Sequence, residues 1–310
     1  MEATRIAFLF PGQGSQYVGM GREIYASSPE ARAVFEQADS ILQFELSRLC
    51  FEGPAESLND TVNTQPALLT VSIAALRAME ACGVIDRPAY VAGHSMGEFS
   101  ALVAAGALSF EDGLLLVRER GRLMKQAGEE NPGGMAAILG LEREELETVC
   151  AVVREQSGEY VGIANDNCPG QLVISGTIKA LEQAMNMARE RGARRAIRLA
   201  VSIAAHSPLM ESAAGTFRRA LDETPFREPT VPLVANATAS PVTDPAQIRQ
   251  VLGSQLTSPV RWTESIRWLI EQGVTHFVEI GPKDVLIGLV QRIDPAVERL
   301  SAEGVLAQRH

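Results

Sequence analysis

A serine stands at the centre of a Gly-x-Ser-x-Gly pattern, Gly93-His94-Ser95-Met96-Gly97. Apolar residues before the pattern predict a short buried strand, and the residues after it predict a helix. The small glycines let the backbone turn sharply between the two, so the hydroxyl of Ser95 is expected to project from the sheet. Free N–H groups at the helix start, that of Met96 among them, favour an oxyanion there. This setting favours a serine nucleophile over a serine that only caps the helix.

A serine nucleophile needs a base, and the chain contains four histidines. His94 adjoins Ser95 and is expected to point away from it, while His276 lies in an apolar strand pattern. His310 is the terminal residue, a position where side chains are seldom held in place. His206, in a loop after a predicted strand, therefore remains as the predicted base. No Asp or Glu stands out as the third member of a triad, but a carbonyl or amide oxygen can also accept the ring N–H.

Arg120 lies on the apolar side of a predicted helix, three residues after Val117 and four after Leu116. A guanidinium in such surroundings needs a partner. It could bind an anionic substrate through a bidentate pair of hydrogen bonds. It could equally reach solvent, or form an internal ion pair with Glu98 or Glu119. The residues alone leave these interpretations open.

The elements that would position these residues alternate between buried strands and helices, which is typical of a parallel sheet covered on both faces. The predicted strands of this part are Ile6–Phe10, Tyr90–Ala92, Val231–Val234 and His276–Glu279. The predicted helices are Glu30–Ala38, Ile41–Leu49, Ala67–Ala81, Glu98–Ala105, Glu111–Ala127, Pro245–Leu256 and Thr263–Gln272. Pro66 is predicted as the first helical residue of the third, with Thr64 as its cap, and Asp244 is predicted to cap the sixth.

A different order, βαββαβ, is predicted between residues 131 and 199. Its strands are Met135–Leu139, Tyr160–Ala164, Gln171–Ser175 and Ala196–Leu199, and its helices are Glu142–Glu155 and Thr177–Glu190. This order is typical of a ferredoxin-like unit. The predicted division is therefore a large domain of residues 1–130 and 200–310, with a small subdomain of residues 131–199 inserted in it.

The composition limits the classes of protein. Of the 310 residues, 46% are hydrophobic and 21% are charged, which is typical of a globular chain and excludes a disordered one. The net charge of -10 argues against non-specific binding of nucleic acid. The four cysteines lie far apart, so neither a metal-binding pair nor a disulfide framework is predicted. The apolar run after Met1–Arg5 is too short for a signal peptide, and we expect a cytoplasmic protein.

Several separated motifs follow one another along the chain. They are Phe10–Gln16, Thr64–Ala67, Gly93–Glu98, Arg120–Gly121, Asn165–Gly176, His206–Ser207 and Glu279–Pro282. In this order the chain strongly resembles the malonyl-CoA:acyl carrier protein transacylases and the related acyltransferase domains of polyketide synthases, over nearly its whole length. The resemblance implies an α/β fold: a large parallel-sheet, α/β-hydrolase-like domain with an inserted ferredoxin-like subdomain.

The resemblance also implies a catalytic role for each matching residue. Ser95 would be acylated, and His206 would act as its general base and acid. The N–H groups of Gln13 and Met96 would form the oxyanion hole. The main-chain oxygen of Gln255 would orient the histidine, in place of the acid missing from the triad.

The substrates follow from the same resemblance. Arg120 would pair with the free carboxylate of a malonyl group, and Gln13 would contact the substrate through its N–H. CoA would leave behind a malonyl-Ser95 ester, which the phosphopantetheine thiol of an acyl carrier protein would then attack in a ping-pong reaction. Malonyl-CoA and acyl carrier protein are the implied partners, without nucleic acid or membrane, and no metal or redox cofactor is implied.

One feature departs from the family pattern. Members often carry a bulkier pair of residues before the histidine, where this chain has Ala204-Ala205. The small side chains predict a wider acyl pocket and a weaker distinction between malonyl and methylmalonyl groups. Arg120 is unaffected, which favours a dicarboxylic acyl group in either case.

Two other functions use the same residues. A hydrolase would pass the acyl group from Ser95 to water, but an apolar acyl chain would leave Arg120 without a partner. A non-catalytic scaffold would bind only the carrier protein, and the presence of Ser95, His206 and Gln13 argues against it. Five arginines lie close together in the sequence: Arg189, Arg191, Arg194, Arg195 and Arg198. They are expected to form either a basic patch that binds the acidic carrier protein or a run of charges exposed to solvent.

Overall fold

Residues 4–307 are described by the structure, a computed structural model, and they contain eleven strands and fourteen α-helices. The strands are β1 (Ile6–Phe10), β2 (Tyr90–Gly93), β3 (Gly133–Leu139), β4 (Val161–Cys168), β5 (Gln171–Thr177), β6 (Arg195–Arg198), β7 (Leu233–Ala235), β8 (Ser240–Val242), β9 (Val260–Arg261), β10 (His276–Glu279) and β11 (Glu298–Ser301). The helices are α1 (Arg22–Ser27), α2 (Pro29–Leu42), α3 (Leu46–Glu52), α4 (Ala55–Asn59), α5 (Thr61–Ala81), α6 (Gly97–Ala104), α7 (Phe110–Glu130), α8 (Arg143–Ser157), α9 (Ile178–Glu190), α10 (Glu211–Glu223), α11 (Pro245–Gln255), α12 (Trp262–Glu271), α13 (Val285–Ile293) and α14 (Ala302–Ala307). None of these helices combines the length and the apolar character that crossing a bilayer requires.

The larger sheet has the strand order β11-β10-β1-β2-β7-β8, and its neighbouring strands run parallel except β8, which is antiparallel to β7. Phe8 and Phe10 enter the core on one face of β1, whereas Ala7 and Leu9 enter a second core on the other. The sheet is therefore covered on both faces, as predicted. Because β1 and β2 are neighbours, the loops that follow them meet at the same edge of the sheet.

The smaller sheet has the strand order β6-β3-β5-β4-β9. Four of its strands and two helices follow one another as β3-α8-β4-β5-α9-β6, which confirms the predicted βαββαβ order. Side chains such as Ile138 and Leu181 form a separate core between this sheet and its helices. Strand β9 comes from later in the chain and pairs with β4, with Val260 opposite Asn165. The division into residues 1–130 with 200–310 and residues 131–199 stays a prediction.

Helix α5 begins at Thr61, so the prediction that Pro66 is the first helical residue is wrong. The carboxylate of Asp60 caps the helix by accepting the N–H of Val62 at 3.1 Å. The hydroxyl of Thr64, predicted as the cap, instead donates to the carbonyl of Asp60 at 3.0 Å. Proline removes only one hydrogen bond from the helix, and burial of sixteen of its 21 residues offsets that loss.

The predicted helix Ile41–Leu49 is also wrong. The chain leaves α2 at Gln43, whose φ of 57° ends the helix in a left-handed conformation, and α3 begins only at Leu46. Such a stop is usually marked by glycine, and here no glycine stands at the break to signal it. The other predicted elements differ from the observed ones only at their ends.

Helix α6 starts against the end of β1, and this approach depends on Gly97. A Cβ there would lie 2.2 Å from the carbonyl oxygen of Phe10, which belongs to the backbone and has little freedom to move. We therefore expect Gly97→Ala to lower the free energy of unfolding by about 3 kcal/mol or more. Gly215, inside α10, has no atom within 4 Å of the place a Cβ would take. The control Gly215→Ala should raise the free energy of unfolding by about 0.5–1 kcal/mol. Urea unfolding measures both changes, and equal effects of the two substitutions would contradict the steric argument.

Candidate active site

The turn between β2 and α6 holds Ser95 in a left-handed conformation, with φ at 53°. The N–H of His94 donates to the carbonyl of Phe10 at 2.9 Å, and the N–H of Ser95 donates to Oδ1 of Asn236 at 2.7 Å. This conformation is unfavourable for a residue other than glycine and persists only where the surroundings enforce it. Strand, sharp turn and helix are arranged as the Gly-x-Ser-x-Gly pattern predicts.

The hydroxyl oxygen of Ser95 lies 2.9 Å from Nε2 of His206, whose side chain is buried. The other ring nitrogen, Nδ1, lies 2.9 Å from the main-chain oxygen of Gln255 and 3.1 Å from that of Ser258. These oxygens can only accept, so Nδ1 carries the ring hydrogen and Nε2 is left to accept from the hydroxyl. Main-chain oxygens thus take the place of the acid in a triad.

The electrostatic surroundings keep His206 neutral. Burial lowers the pKa of His206 to about 3, and the positive charge of Arg120 acts in the same direction. The hydrogen bonds to Gln255 and Ser258 favour the charged ring but do not compensate. At neutral pH the imidazole is therefore able to accept a proton from Ser95.

Arg120 of α7 is only 1% exposed, and its guanidinium lies against the nucleophile. Its Nη2 donates to Oγ of Ser95 at 3.1 Å and to Oε1 of Gln255 at 2.7 Å. Its Nη1 donates to Oε1 of Gln65 at 2.8 Å. Its Nε is buried and has no hydrogen-bond partner within residues 4–307. These bonds use three of the five N–H groups of the guanidinium, so within residues 4–307 one on Nε and one on Nη1 are left for another group.

The carboxylates considered from the sequence do not pair with this arginine. Glu119 pairs with Arg122 at 2.6 Å, and Glu98 is connected to Arg120 only through the side-chain amide of Gln255. Burial lowers the pKa of Arg120 to about 10, so the group remains positive at neutral pH. A buried, charged arginine with a donor to spare can bind an anion. The arrangement favours anion binding over the other two interpretations.

The loop after β1 carries Gln13 beside the nucleophile turn. Gly12 packs so closely there that a Cβ would lie 2.4 Å from the carbonyl oxygen of His94. The hydroxyl of Thr61 donates to Oε1 of Gln13 at 3.0 Å and so holds its side chain. The N–H groups of Gln13 and Met96 have no hydrogen-bond acceptor in the described part of the chain. Both are therefore free to donate to an oxyanion.

Two polar residues of the site were given no role from the sequence. Asn236 accepts from the N–H of Ser95 and donates through Nδ2 to the carbonyl of Gly93 at 2.7 Å. It directly follows β7, so an asparagine at the carboxyl end of a parallel strand was the available signal. Gln65 reaches Arg120 because α5 packs against α7, and its place in the Thr64–Ala67 motif was the available signal.

The family model that describes the acyl transferase domain matches residues 7–307. The chain belongs to the acyl transferase family. The malonyl CoA-acyl carrier protein transacylase of Bacillus subtilis (strain 168) is 50% identical over 298 residues, which are 96% of this chain and 93% of that protein. The protein of the same name from Escherichia coli (strain K12) is 43% identical and covers 97% of this chain and 96% of its own.

Solved structures of such enzymes share the fold of this acyl transferase. The malonyl CoA-acyl carrier protein transacylase of Coxiella burnetii superimposes with a TM-score of 0.95 at 41% identity, over 98% of this chain and 96% of that one. A malonyl-transacylase in complex with its type II PKS acyl-carrier protein gives a TM-score of 0.94 at 39% identity, over 98% of both chains. The predicted fold class and family resemblance are confirmed.

Two other histidines of the acyl transferase, His94 and His276, do not face the nucleophile. His94 turns to the smaller sheet, where its Nε2 lies 2.9 Å from Oδ1 of Asn167. His276 begins β10, at the end of the strand opposite to the active site. His310 lies outside the described residues. Among the histidines of residues 4–307, only His206 is within hydrogen-bonding distance of Ser95 Oγ.

Three of the five arginines considered for carrier docking contact neighbouring residues. Arg191 pairs with Glu145 at 2.7 Å, and Arg198 pairs with Glu182 at 3.3 Å. Arg189 donates to a main-chain carbonyl at 2.8 Å. These contacts favour a solvated charge run, and carrier docking at this cluster stays a prediction.

Proposed function

We propose that this acyl transferase moves the malonyl group of malonyl-CoA to the phosphopantetheine thiol of an acyl carrier protein, in fatty acid or polyketide synthesis. The observation that carries the proposal is the buried guanidinium of Arg120, with a free donor and an Nη2 only 3.1 Å from Oγ of Ser95. An acyl group with its own carboxylate suits this neighbour. The names of the relatives, malonyl CoA-acyl carrier protein transacylases, support the choice of both substrates.

In the first half-reaction, Oγ of Ser95 attacks the thioester carbonyl while Nε2 of His206 takes the hydroxyl proton. The carbonyl oxygen becomes an oxyanion that accepts the N–H groups of Gln13 and Met96. On collapse, the C–S bond breaks, and the CoA thiolate leaves with the proton from His206. The main-chain oxygen of Gln255 keeps the imidazole aligned, and a malonyl ester remains on Ser95.

The second half-reaction runs through the same groups. The phosphopantetheine thiol gives its proton to His206, and its sulfur attacks the ester carbonyl. The oxyanion forms in the same hole, the ester C–O bond breaks, and Ser95 regains its proton from the imidazole. Because one site serves both substrates in turn, the kinetics are of the ping-pong type.

Arg120 selects the acyl group by pairing with the malonyl carboxylate, since an acetyl group would offer it no anion. Ala204 and Ala205, directly before His206, are both small and buried. From their small size we propose a wider acyl pocket that also accepts methylmalonyl. We further propose a cytoplasmic location, which the buried free thiol of Cys50 supports. We also propose the division of the chain into two parts, which the separate core of the smaller sheet supports.

The low pKa of His206 gives a testable pH dependence. A histidine with an ordinary pKa near 6.5 is about 90% protonated at about pH 5.5, whereas His206 should stay neutral there. We expect the rate of Ser95 acylation by acetyl-CoA, followed as CoA release, to stay flat from about pH 8 to about pH 5. In Arg120→Ala the fall of this rate at low pH should begin at a higher pH, because the loss of the positive charge raises the pKa of His206. A fall near pH 6.5 in the native protein would contradict this account.

Intact-protein mass spectrometry after brief mixing with malonyl-, methylmalonyl- or acetyl-CoA tests the proposed reaction. We expect a malonyl adduct that maps to Ser95 and that holo acyl carrier protein discharges. Comparable loading with methylmalonyl would support the wider pocket at Ala204 and Ala205. CoA release without an adduct would favour a hydrolase, and neither adduct nor release would favour a scaffold.

A further inference from the structure

Glu98 lies in the first turn of α6, directly after the nucleophile pattern, and is 1% exposed. Its partners are neutral: Oε1 accepts the N–H of Asn236 at 2.6 Å, and Oε2 accepts Nε2 of Gln255. Burial raises the pKa of Glu98 to about 7, while the two donors and the charge of Arg120 favour its ionised form. Burying a carboxylate is costly, and the proposed mechanism gives this one no task.

Gln255 connects this carboxylate to the substrate-binding arginine. Its Nε2 donates to Glu98 and, at 2.9 Å, to the main-chain oxygen of Ser95. Its Oε1 accepts Nη2 of Arg120 at 2.7 Å. A side-chain amide has a donor end and an acceptor end and can by itself face either way. Here Arg120 offers only donors and both oxygens of Glu98 accept N–H groups, so one orientation of the amide satisfies both.

We propose that Glu98 is a positioning residue for acyl-group selection. Its carboxylate fixes the amide of Gln255, and the amide holds the guanidinium of Arg120 in the pose that binds the substrate carboxylate. The same carboxylate holds Asn236, whose side chain accepts the N–H of Ser95. The inference rests on the proposed function, because it requires Arg120 to recognise the malonyl group.

Glu98→Gln tests this role without changing the size of the side chain. The new amide can accept from only one of its two partners and must face the other, Asn236 or Gln255, with its own N–H groups. If Gln255 turns over to compensate, its N–H groups face those of Arg120. We expect the ratio of kcat/KM for malonyl-CoA to kcat/KM for acetyl-CoA to fall about 10-fold or more, chiefly through a higher KM for malonyl-CoA.

Glu279→Gln is the matched control. Glu279 is also a fully buried carboxylate in the larger sheet, and its Oε2 accepts the N–H groups of Leu286 and Ile287 at 2.8 and 2.9 Å. These contacts do not involve Gln255 or Arg120. Loss of this charge should alter the melting temperature but leave the malonyl-to-acetyl ratio at the native value. Damage to the fold alone would lower both rates and spare their ratio.

Gln255→Met keeps the inference testable even if Glu98→Gln does not fold. It removes the amide but retains the main-chain oxygen near His206, and it should lower the ratio to a similar extent. In the double variant, Glu98→Gln should lower the ratio little further than Gln255→Met does alone, because both changes act through the same amide. An unchanged ratio in either single variant would overturn the role of Glu98. A native protein that shows no preference for malonyl would instead overturn the proposed function, and this inference with it.

Discussion

Replacing Ser95 by alanine should abolish the acyl-enzyme and lower kcat/KM for malonyl transfer by at least about 10⁴-fold. The hydroxyl is the group 2.9 Å from Nε2 of His206, and without it the ester has no oxygen on which to form. Alanine meets the left-handed conformation at this position about as well as serine does, so the fold should be kept. Mass spectrometry after mixing with malonyl-CoA, together with transfer to holo carrier protein, measures both effects.

Ser100 in α6 provides the control for this change. Its hydroxyl is buried and makes no hydrogen bond within residues 4–307. Ser100→Ala removes an equivalent hydroxyl from the helix that follows the Ser95 turn, and it should leave acylation and thermal stability nearly unchanged. A malonyl adduct at the native level in Ser95→Ala would show that another group carries the ester.

Arg120→Ala should lower kcat/KM for malonyl-CoA by about 10²- to 10³-fold and change that for acetyl-CoA only a few-fold. Without the guanidinium, the malonyl carboxylate enters a buried site with no positive partner, which costs much of its binding energy. The acetyl group has no carboxylate and does not lose this interaction. Single-turnover loading of each acyl group, followed by mass spectrometry, gives the ratio of native to variant rates for malonyl-CoA and for acetyl-CoA.

Arg118→Ala is the control for Arg120, two residues away on the same helix. Arg118 donates to the carbonyl of Leu42 at 3.1 Å and lies over the ring of Phe44, so it has partners outside the active site. Its loss should leave the malonyl-to-acetyl ratio unchanged. An equal decrease for both acyl groups in Arg120→Ala would mean that the arginine supports Ser95 rather than selecting the substrate.

Much of the fold and the nucleophile were predictable because they depend on local chemistry. The turn at Ser95 needs small neighbours, and Gly97 cannot carry a Cβ there, so the pattern in the sequence follows from the backbone itself. The βαββαβ order follows from hydrophobic periodicity, which records which side of each element is buried. His206 could be found by elimination because the chain has only four histidines.

Helix α5 marks the limit of such local reasoning. Proline favours a helix start, and the sequence around Pro66 contains that signal. The helix nevertheless begins at Thr61, because the free energy gained by burying it outweighs one lost hydrogen bond. The free energy gained by burying α5 depends on the helices and strands that pack against it, which come from elsewhere in the chain.

The sequence by itself predicted the nucleophile, the base and the order of the elements, whereas only the tertiary structure revealed the surroundings of Arg120. The residues alone left its three interpretations open, the family resemblance favoured substrate binding, and the fold places it beside Ser95 and connects it to Glu98 through Gln255. Those partners are separated by up to 160 residues along the chain. Periodicity and turn signals describe neighbours in sequence, and hydrogen bonds between distant segments exist only once packing brings the segments together.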